Sequence, residues 1–179
     1  GIFNSQSIQT FIEVTRNHCM KIADSQLASR WGNILDFKEM DLITPNEKEA
    51  RFALGNQDSS LGVLIGELSK ISRAKNIILK LGEKGQISSS NSKDLDNNEI
   101  FSLSSFVANL IDPVGAGDAL LAYASISLYH SNSLPIASIM GSIAASCACE
   151  QEGNIPITPE ILIKKLDSIF NEMSYETAN

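Results

Sequence analysis

The apolar positions of this chain fall into two patterns: short, mostly apolar runs, and longer stretches in which they return every third or fourth residue. Residues 20–23, 41–44 and 76–81 are runs of the first kind, and each predicts a buried strand. Residues 86–89, after the turn Gly82-Glu83-Lys84-Gly85, read as the returning arm of a hairpin. Residues 99–111 predict one or two further short strands, the last a strand-like stretch from Val107 to Ile111. Helical spacing covers 5–19, with Ile8, Phe11, Ile12 and Val14 on it and Ser5 or Ser7 as cap. It covers 59–74 as well, with Leu61, Leu64, Ile65, Leu68 and Ile71 on one side. Pro45 ends the second strand, and Asn46 can cap a helix over 47–54 with Glu49 three residues on, as in a capping box.

Residues 25–38, with Gly32 and Asn33, predict a loop holding one short helical turn, and the polar stretch 90–98 predicts a flexible loop. Three helices close the chain at 116–129, 134–149 and 159–170. Short apolar strands alternating with helices imply an α/β fold in three layers, a mostly parallel sheet with helices on both faces. No internal repeat or low-complexity tract is visible. Residues 1–171 read as one domain-forming part and 172–179 as a frayed tail.

Composition narrows the function classes. The 179 residues are 43% hydrophobic and 20% charged, ordinary for a soluble domain with a real core. A net charge of −7 argues against a sequence-independent nucleic-acid binder, so no nucleic-acid partner is expected. It also means that a polyanionic ligand must be met by local backbone dipoles and a metal ion. No run reaches the roughly 18 apolar residues of a membrane span, and the start carries no secretory pattern, so a cytoplasmic protein without a membrane partner is expected. Cys19, Cys147 and Cys149 are an odd number and do not form a disulfide framework. On a helix, Cys147 and Cys149 point about 200° apart, against shared metal ligation, and all three read as small buried hydrophobes. A chain that opens on Gly1 and enters helical periodicity almost at once reads as a piece of something longer.

The densest chemistry lies in Asp112-Pro113-Val114-Gly115-Ala116-Gly117-Asp118. Glycines permit positive φ and close approach of backbone to ligand. The N–H groups around Gly115, Ala116 and Gly117 fall among the first donors of a helix, which lack internal partners, so they form a candidate anion hole. Asp118 lies in the first turn and is a candidate base for a hydroxyl proton; the plain alternative is a helix start with close packing and Asp118 as a cap. No Gly-Lys-Ser/Thr follows, and the third glycine of a dinucleotide fingerprint is missing. Gly82, Glu83, Lys84 and Gly85 make a tight turn at a strand's carboxyl end, where α/β proteins bind ligands, or simply a hairpin turn. Asn46 and Glu49 could orient a Mg²⁺-bound water or a phosphate, or only cap their helix. His18 and His130 have no ligating partners nearby in sequence, and Trp31 reads as a packing residue. Neither a serine nucleophile elbow nor a His-Glu-x-x-His zinc site is present.

Taken in order, Pro45-Asn46-Glu47-Lys48-Glu49, Leu81-Gly82-Glu83-Lys84-Gly85 and Asp112 to Asp118 resemble the signatures of the ribokinase-like (PfkB) carbohydrate kinases, over roughly 23–159. The resemblance implies ATP and Mg²⁺ as cofactors and a sugar or sugar phosphate as acceptor. It implies Asp118 as catalytic base and Gly115, Ala116 and Gly117 as anion hole. Asn46 and Glu49 would serve phosphate and Mg²⁺ binding, Gly82 to Gly85 and Asp112 the nucleotide, and the stretch 141–153 the adenine pocket. Asp24-Ser25-Gln26 with Trp31-Gly32-Asn33 is similar to the heptose-phosphate branch, whose members phosphorylate an anomeric hydroxyl and are often fused to a nucleotidyltransferase.

Two departures stand out. Lys80 occupies a position where many members carry threonine. The family's N-terminal half, with its sugar-binding residues and the small β-sheet lid that often forms a dimer interface, does not correspond to any part of this chain. Two alternatives to a kinase follow: a nucleotide-binding regulatory module of the same fold without phosphotransfer, or a fragment inactive without its N-terminal half.

Overall fold

Ile77, Ile78 and Leu79 are consecutive and all buried, so the strand that carries them is covered on both faces. The computed structural model describes residues 4–15, 19–24, 34–91 and 99–177, the side chains of Ser5 and of 173–177 excepted. His18, Trp31, the segment from Ser25 to Asn33 and most of the expected loop at 90–98 lie outside the described residues. Two units divide the chain, Gly1–Ser104 and Ser105–Asn179.

The first unit runs α1 (Ser5–Thr15), β1 (Ile22–Ala23), a 3₁₀ turn at Ile34–Asp36, β2 (Leu42–Ile43), α2 (Glu47–Leu54) and α3 (Leu61–Ser72). It continues through β3 (Asn76–Lys80), a 3₁₀ turn at Gly82–Lys84, β4 (Gln86–Ser90) and β5 (Glu99–Leu103). The strands lie in the order β1-β2-β3-β4-β5. β1, β2 and β3 are parallel, with Ala23 opposite Ile43 and Ile43 opposite Ile77. β3, β4 and β5 are antiparallel, so the sheet is mixed and the hairpin expected after residue 81 is present.

Alternation sorts the side chains of this sheet. Ala23, Ile43, Ile77 and Leu79 share one core with Ala50 of α2 and Leu64, Ile65 and Leu68 of α3. Leu42 and Ile78, on the opposite face, are buried as well. Helix α1 contributes Ile8 and, partly, Ile12, while Phe11 and Val14 face solvent. Asn4 caps it, in place of the serines expected: Asn4 Oδ1 accepts from Ser7 N–H at 2.9 Å and Ser7 Oγ accepts from Asn4 N–H at 2.8 Å. Ile71, placed by spacing on the buried side of α3, is exposed at the helix's last turn.

The second unit holds α4 (Ala116–Ser131), α5 (Leu134–Cys149) and α6 (Pro159–Thr177). Small residues let α4 and α5 approach: a Cβ added at Gly141 would lie 3.0 Å from both the Leu120 carbonyl and the Ala124 methyl. Ile143, Ala144 and Leu162 form a second core, with Phe106, Tyr123 and Leu166 against it. Glu150 ties α5 to α6 through Lys165 at 2.7 Å. Helix α6 continues to Thr177, past the residue 170 expected from its periodicity. No strand forms at 107–111. The Ile111 and Asp112 N–H groups both donate to the Cys149 carbonyl, at 2.8 and 3.1 Å, and Ala108 N–H donates to Glu150, so the donors a strand would need are spent on the end of α5. Among the described residues no helix is long and apolar enough to cross a membrane.

Asp41 fastens the amino ends of the parallel strands. Its carboxylate accepts from Lys21 N–H and Lys75 Nζ, each at 2.7 Å, and its carbonyl accepts from Asn76 Nδ2 at 2.9 Å. Burial opposes its ionisation, but the Lys21 N–H and the Lys75 ammonium outweigh it and hold the carboxyl below its ordinary value of 3.8. A depressed carboxyl stabilises the fold above its unfolded value, and that contribution is lost as pH falls through the folded one. Asp41→Asn is therefore expected to lower the urea midpoint at pH 7 and to flatten its decline below about pH 4, measured by unfolding across pH 2–7. The cysteines divide as well. Cys147 and Cys149 are buried, and burial pushes both thiols up, whereas Cys19 is exposed, contrary to the expectation that all three are buried. Iodoacetamide should label Cys19 in the folded protein and the other two only after unfolding, as read by peptide mass spectrometry.

Candidate functional site

Polar groups in the first unit gather where the parallel strands end. Asn46, leaving β2 through Pro45, is extended at φ −84° and ψ 168° and caps α2. Its Oδ1 accepts from Glu49 N–H at 2.8 Å, and Glu49 Oε2 accepts from Asn46 N–H at 2.7 Å. The capping box anticipated in the sequence is therefore formed, and it fixes both side chains. Glu49 is 7% exposed. The Asn46 amide NH₂ donates to nothing among the described residues, which leaves two donors for a ligand.

The glycine turn lies alongside. Lys80 N–H donates to the Pro45 carbonyl at 2.9 Å, and Asn46 pairs with Lys80 in a parallel bridge. The start of α2 and the turn at 81–85 thus share one edge of the sheet. Gly82 and Gly85 take φ of 63° and 87°, which L side chains rarely adopt, and Leu81 N–H closes the turn on the Gly85 carbonyl at 2.8 Å. Gly82, Glu83 and Lys84 are exposed.

One pair at this edge escaped the sequence. Lys80 Nζ donates to both oxygens of Asp24, at 2.9 and 3.1 Å, and both side chains are more than four-fifths buried. A lysine ending an otherwise apolar strand was the available signal; its partner, 56 residues away, carried none.

In the second unit the glycine turn is built against the end of α5. Asp112 Oδ1 accepts from Val114 N–H at 3.0 Å and Oδ2 from Gly153 N–H at 3.2 Å. Asp112 thereby joins the turn to the stretch that follows α5, and its oxygens serve the loop. Gly115 caps α4 at φ 81°, and a Cβ there would lie 2.2 Å from Asn154 Oδ1. The Ala116 N–H is engaged by the Pro113 carbonyl at 3.3 Å, so the outward-facing donor set is smaller than the three expected. Asp118 sits in the first turn of α4, exposed, and its carboxylate makes no hydrogen bond or ion pair among the described residues. It is therefore not the cap of its helix. The structure joins Asp112 to Gly153 and Asn46 to the 81–85 turn. His130 is exposed and stacks edge-on against Tyr129 at 5.3 Å.

Among the described residues no group of three His, Cys, Asp or Glu side chains could hold a metal by itself. Glu49, with one oxygen committed to the Asn46 N–H, offers a single carboxylate. That fits Mg²⁺, which keeps most of its waters and takes one or two carboxylates plus phosphate oxygens, better than it fits any all-protein cage.

A sequence profile of the pfkB family carbohydrate kinases matches residues 3–161. None of the curated proteins compared matches the chain. Among solved structures, ribokinase from Thermotoga maritima is similar at 24% identity and a TM-score of 0.71, covering 89% of this chain and 53% of that one. Phosphofructokinase-2 from Escherichia coli, solved with potassium, is similar at 18% identity and 0.74, with 90% and 52% covered. Arabidopsis thaliana ribokinase, solved with ribose and ATP, is similar at 21% and 0.70, with 91% and 51% covered. These likenesses show a ribokinase-like fold, and the chain spans about half the length of the structures it matches.

The αL position of Gly115 carries a measurable expectation. Gly115→Ala should cost about 1–3 kcal/mol through a strained φ and the forced displacement of Asn154. Gly66→Ala, in α3 where a Cβ meets nothing within 4 Å, should be neutral or stabilising by about 0.5–1 kcal/mol. Urea denaturation of the two variants, side by side, tests this.

Proposed function

The chain belongs to the pfkB family of carbohydrate kinases, and we propose that it supplies the nucleotide-binding and catalytic part of an enzyme that transfers the γ-phosphoryl group of ATP to a hydroxyl of a sugar or sugar phosphate. The observation that carries the reading is Asp118: an exposed carboxylate without a partner, one turn inside a helix whose cap is a glycine in the left-handed region. A structural aspartate at that position would cap the helix or pair with a cation. An unpaired one is free to accept a proton from an attacking hydroxyl.

Little covalent chemistry is left to the protein in such a transfer, so positioning and charge stabilisation carry it. Backbone N–H groups at the start of α4, with the positive end of its dipole, stabilise charge on the transferring group. Asn46 donates from its free NH₂ to phosphate oxygens. Glu49 orients a water of the Mg²⁺ shell, and the ion, when bound, supplies neutralisation of the phosphate charge. Residues 82–85 lie along the nucleotide, and Asp112 acts by holding the glycine turn against Gly153. The ATP complex of the Arabidopsis ribokinase supports ATP as the donor. Half-length coverage favours one second reading, that acceptor recognition and turnover belong to the complete kinase and this chain alone is inactive.

In the complete kinase, Asp118→Asn is expected to lower kcat by about 10²–10⁴-fold while ATP affinity, measured by calorimetry, stays within a few fold. Near-wild-type turnover in that variant would remove Asp118 as the base. ATP binding without ATP consumption across a panel of sugars would favour a regulatory module instead.

A further inference from the structure

A cavity of about 250 Å³ opens in the first unit where the chain enters β2 and β3, at the end of the sheet opposite Asn46 and the Gly82–Gly85 turn. Part of its lining is aliphatic: Ile12 of α1 and Leu35 of the first 3₁₀ turn, both packed on the core. The rest is charged, with Glu13, Asp36 and Glu39 set against Lys38 and Arg73.

Glu39 and Arg73 take φ of 57° and 55°, in the left-handed region that favours glycine. Arg73 closes α3 at a position where glycine or asparagine usually stands. The two turns are tied backbone to backbone: Glu39 N–H donates to the Ser72 carbonyl at 2.9 Å, and Lys75 N–H to the Met40 carbonyl at 2.8 Å. Those bonds need no side chain at either position, and glycine would meet both φ values without strain. An ion pair stands there instead, Arg73 Nη2 to Glu39 Oε1 at 2.7 Å, with side chains 60% and 46% exposed. So open a pair adds little to stability. Strain kept at a cavity for so small a structural return points to a ligand.

Charge is also left in reserve. Arg73 spends one nitrogen on Glu39. Glu13, Asp36 and Lys38 make no hydrogen bond or ion pair among the described residues. A simple cation in this space would meet Lys38 and Arg73, and a simple anion would meet three carboxylates. A molecule with both charges and an aliphatic group is matched on every side. Pockets for drug-sized ligands run to about 300–1,000 Å³, so this one suits something smaller.

We propose that the cavity is a binding site for a free α-amino acid with an aliphatic side chain. Arg73 and Lys38 take its carboxylate, Glu13, Asp36 and Glu39 its ammonium, and Ile12 and Leu35 its side chain. The site shares no residue with the phosphoryl-transfer reading above and stands or falls apart from it.

The test titrates leucine, valine and isoleucine into the full chain, followed by backbone amide NMR. Isoamylamine and isocaproate serve as leucine analogues that lack the carboxylate and the ammonium. Leucine should bind with a Kd of about 1 mM or tighter and shift the amides of α1, of residues 35–39 and of Arg73. Each analogue should bind about tenfold more weakly or worse. Arg73→Gly relieves the left-handed strain while removing the carboxylate's partner, so its urea midpoint should hold or rise while leucine weakens about tenfold. Glu13 is exposed on its helix, and Glu13→Gln should weaken leucine and isoamylamine together and leave isocaproate no weaker. The proposal is overturned if no amino acid of the three gives saturable shifts in the wild-type chain, or if leucine and its two analogues bind equally. A lower urea midpoint in Arg73→Gly with leucine binding intact makes the pair a structural clasp and overturns it as well.

Discussion

Parallel strands covered on both faces leave no room for polar groups along their length, so polar chemistry is pushed to their ends. The first unit shows the consequence at both ends. At the amino ends Asp41 gathers Lys21, Lys75 and Asn76 and pins the starts of the three parallel strands. At the carboxyl ends Lys80 and Asp24 form a second pair, beside the cap of α2 and the glycine turn. Asp41 directs every described contact inward, to the chain itself. Lys80 and Asn46 keep donors without a partner among the described residues.

The second unit answers a related constraint with backbone instead of side chains. The last turn of α5 leaves carbonyls unpaired, and the chain entering the glycine turn supplies the donors. Asp112 then fixes the turn to Gly153, and Gly115 accepts a conformation that other residues resist, close against Asn154. Asp118 is left in the first turn of α4 with its carboxylate free. Its freedom depends on the neighbours having been satisfied elsewhere.

Both units therefore display the same economy. Capping groups such as Asn46 with Glu49, and Asp112 with Val114, satisfy helix and loop ends through short, local bonds. Longer contacts, such as Glu150 with Lys165 and Ala108, hold elements in place around them. The Asn46 amide and the Asp118 carboxylate have no such duty. Membership of the pfkB carbohydrate kinases is consistent with that division, since phosphoryl transfer asks mainly for positioned donors and one well-placed base.

Much of this was written locally enough to be read from the residues in order. The buried strand at β3, the hairpin after it, the capping box at Asn46 and the three closing helices depend on spacing within a few residues, and the structure contains them. The three motif segments were legible for the same reason, because glycine turns and helix caps are properties of short stretches. What failed depended on distant partners. Val107 to Ile111 is apolar enough for a strand, yet its donors go to Cys149 and Glu150, far along the chain. Cys19 is exposed while Cys147 and Cys149 are buried, although all three are the same residue. Lys80 meets Asp24 only because β2 intervenes between their strands and sets their distance. The sequence by itself determined the elements, their caps and the glycine turns, since these are settled by propensity and bonds within one turn. Tertiary structure alone decided which polar groups were spent on the fold and which stayed free, because that depends on partners brought together from tens of residues away.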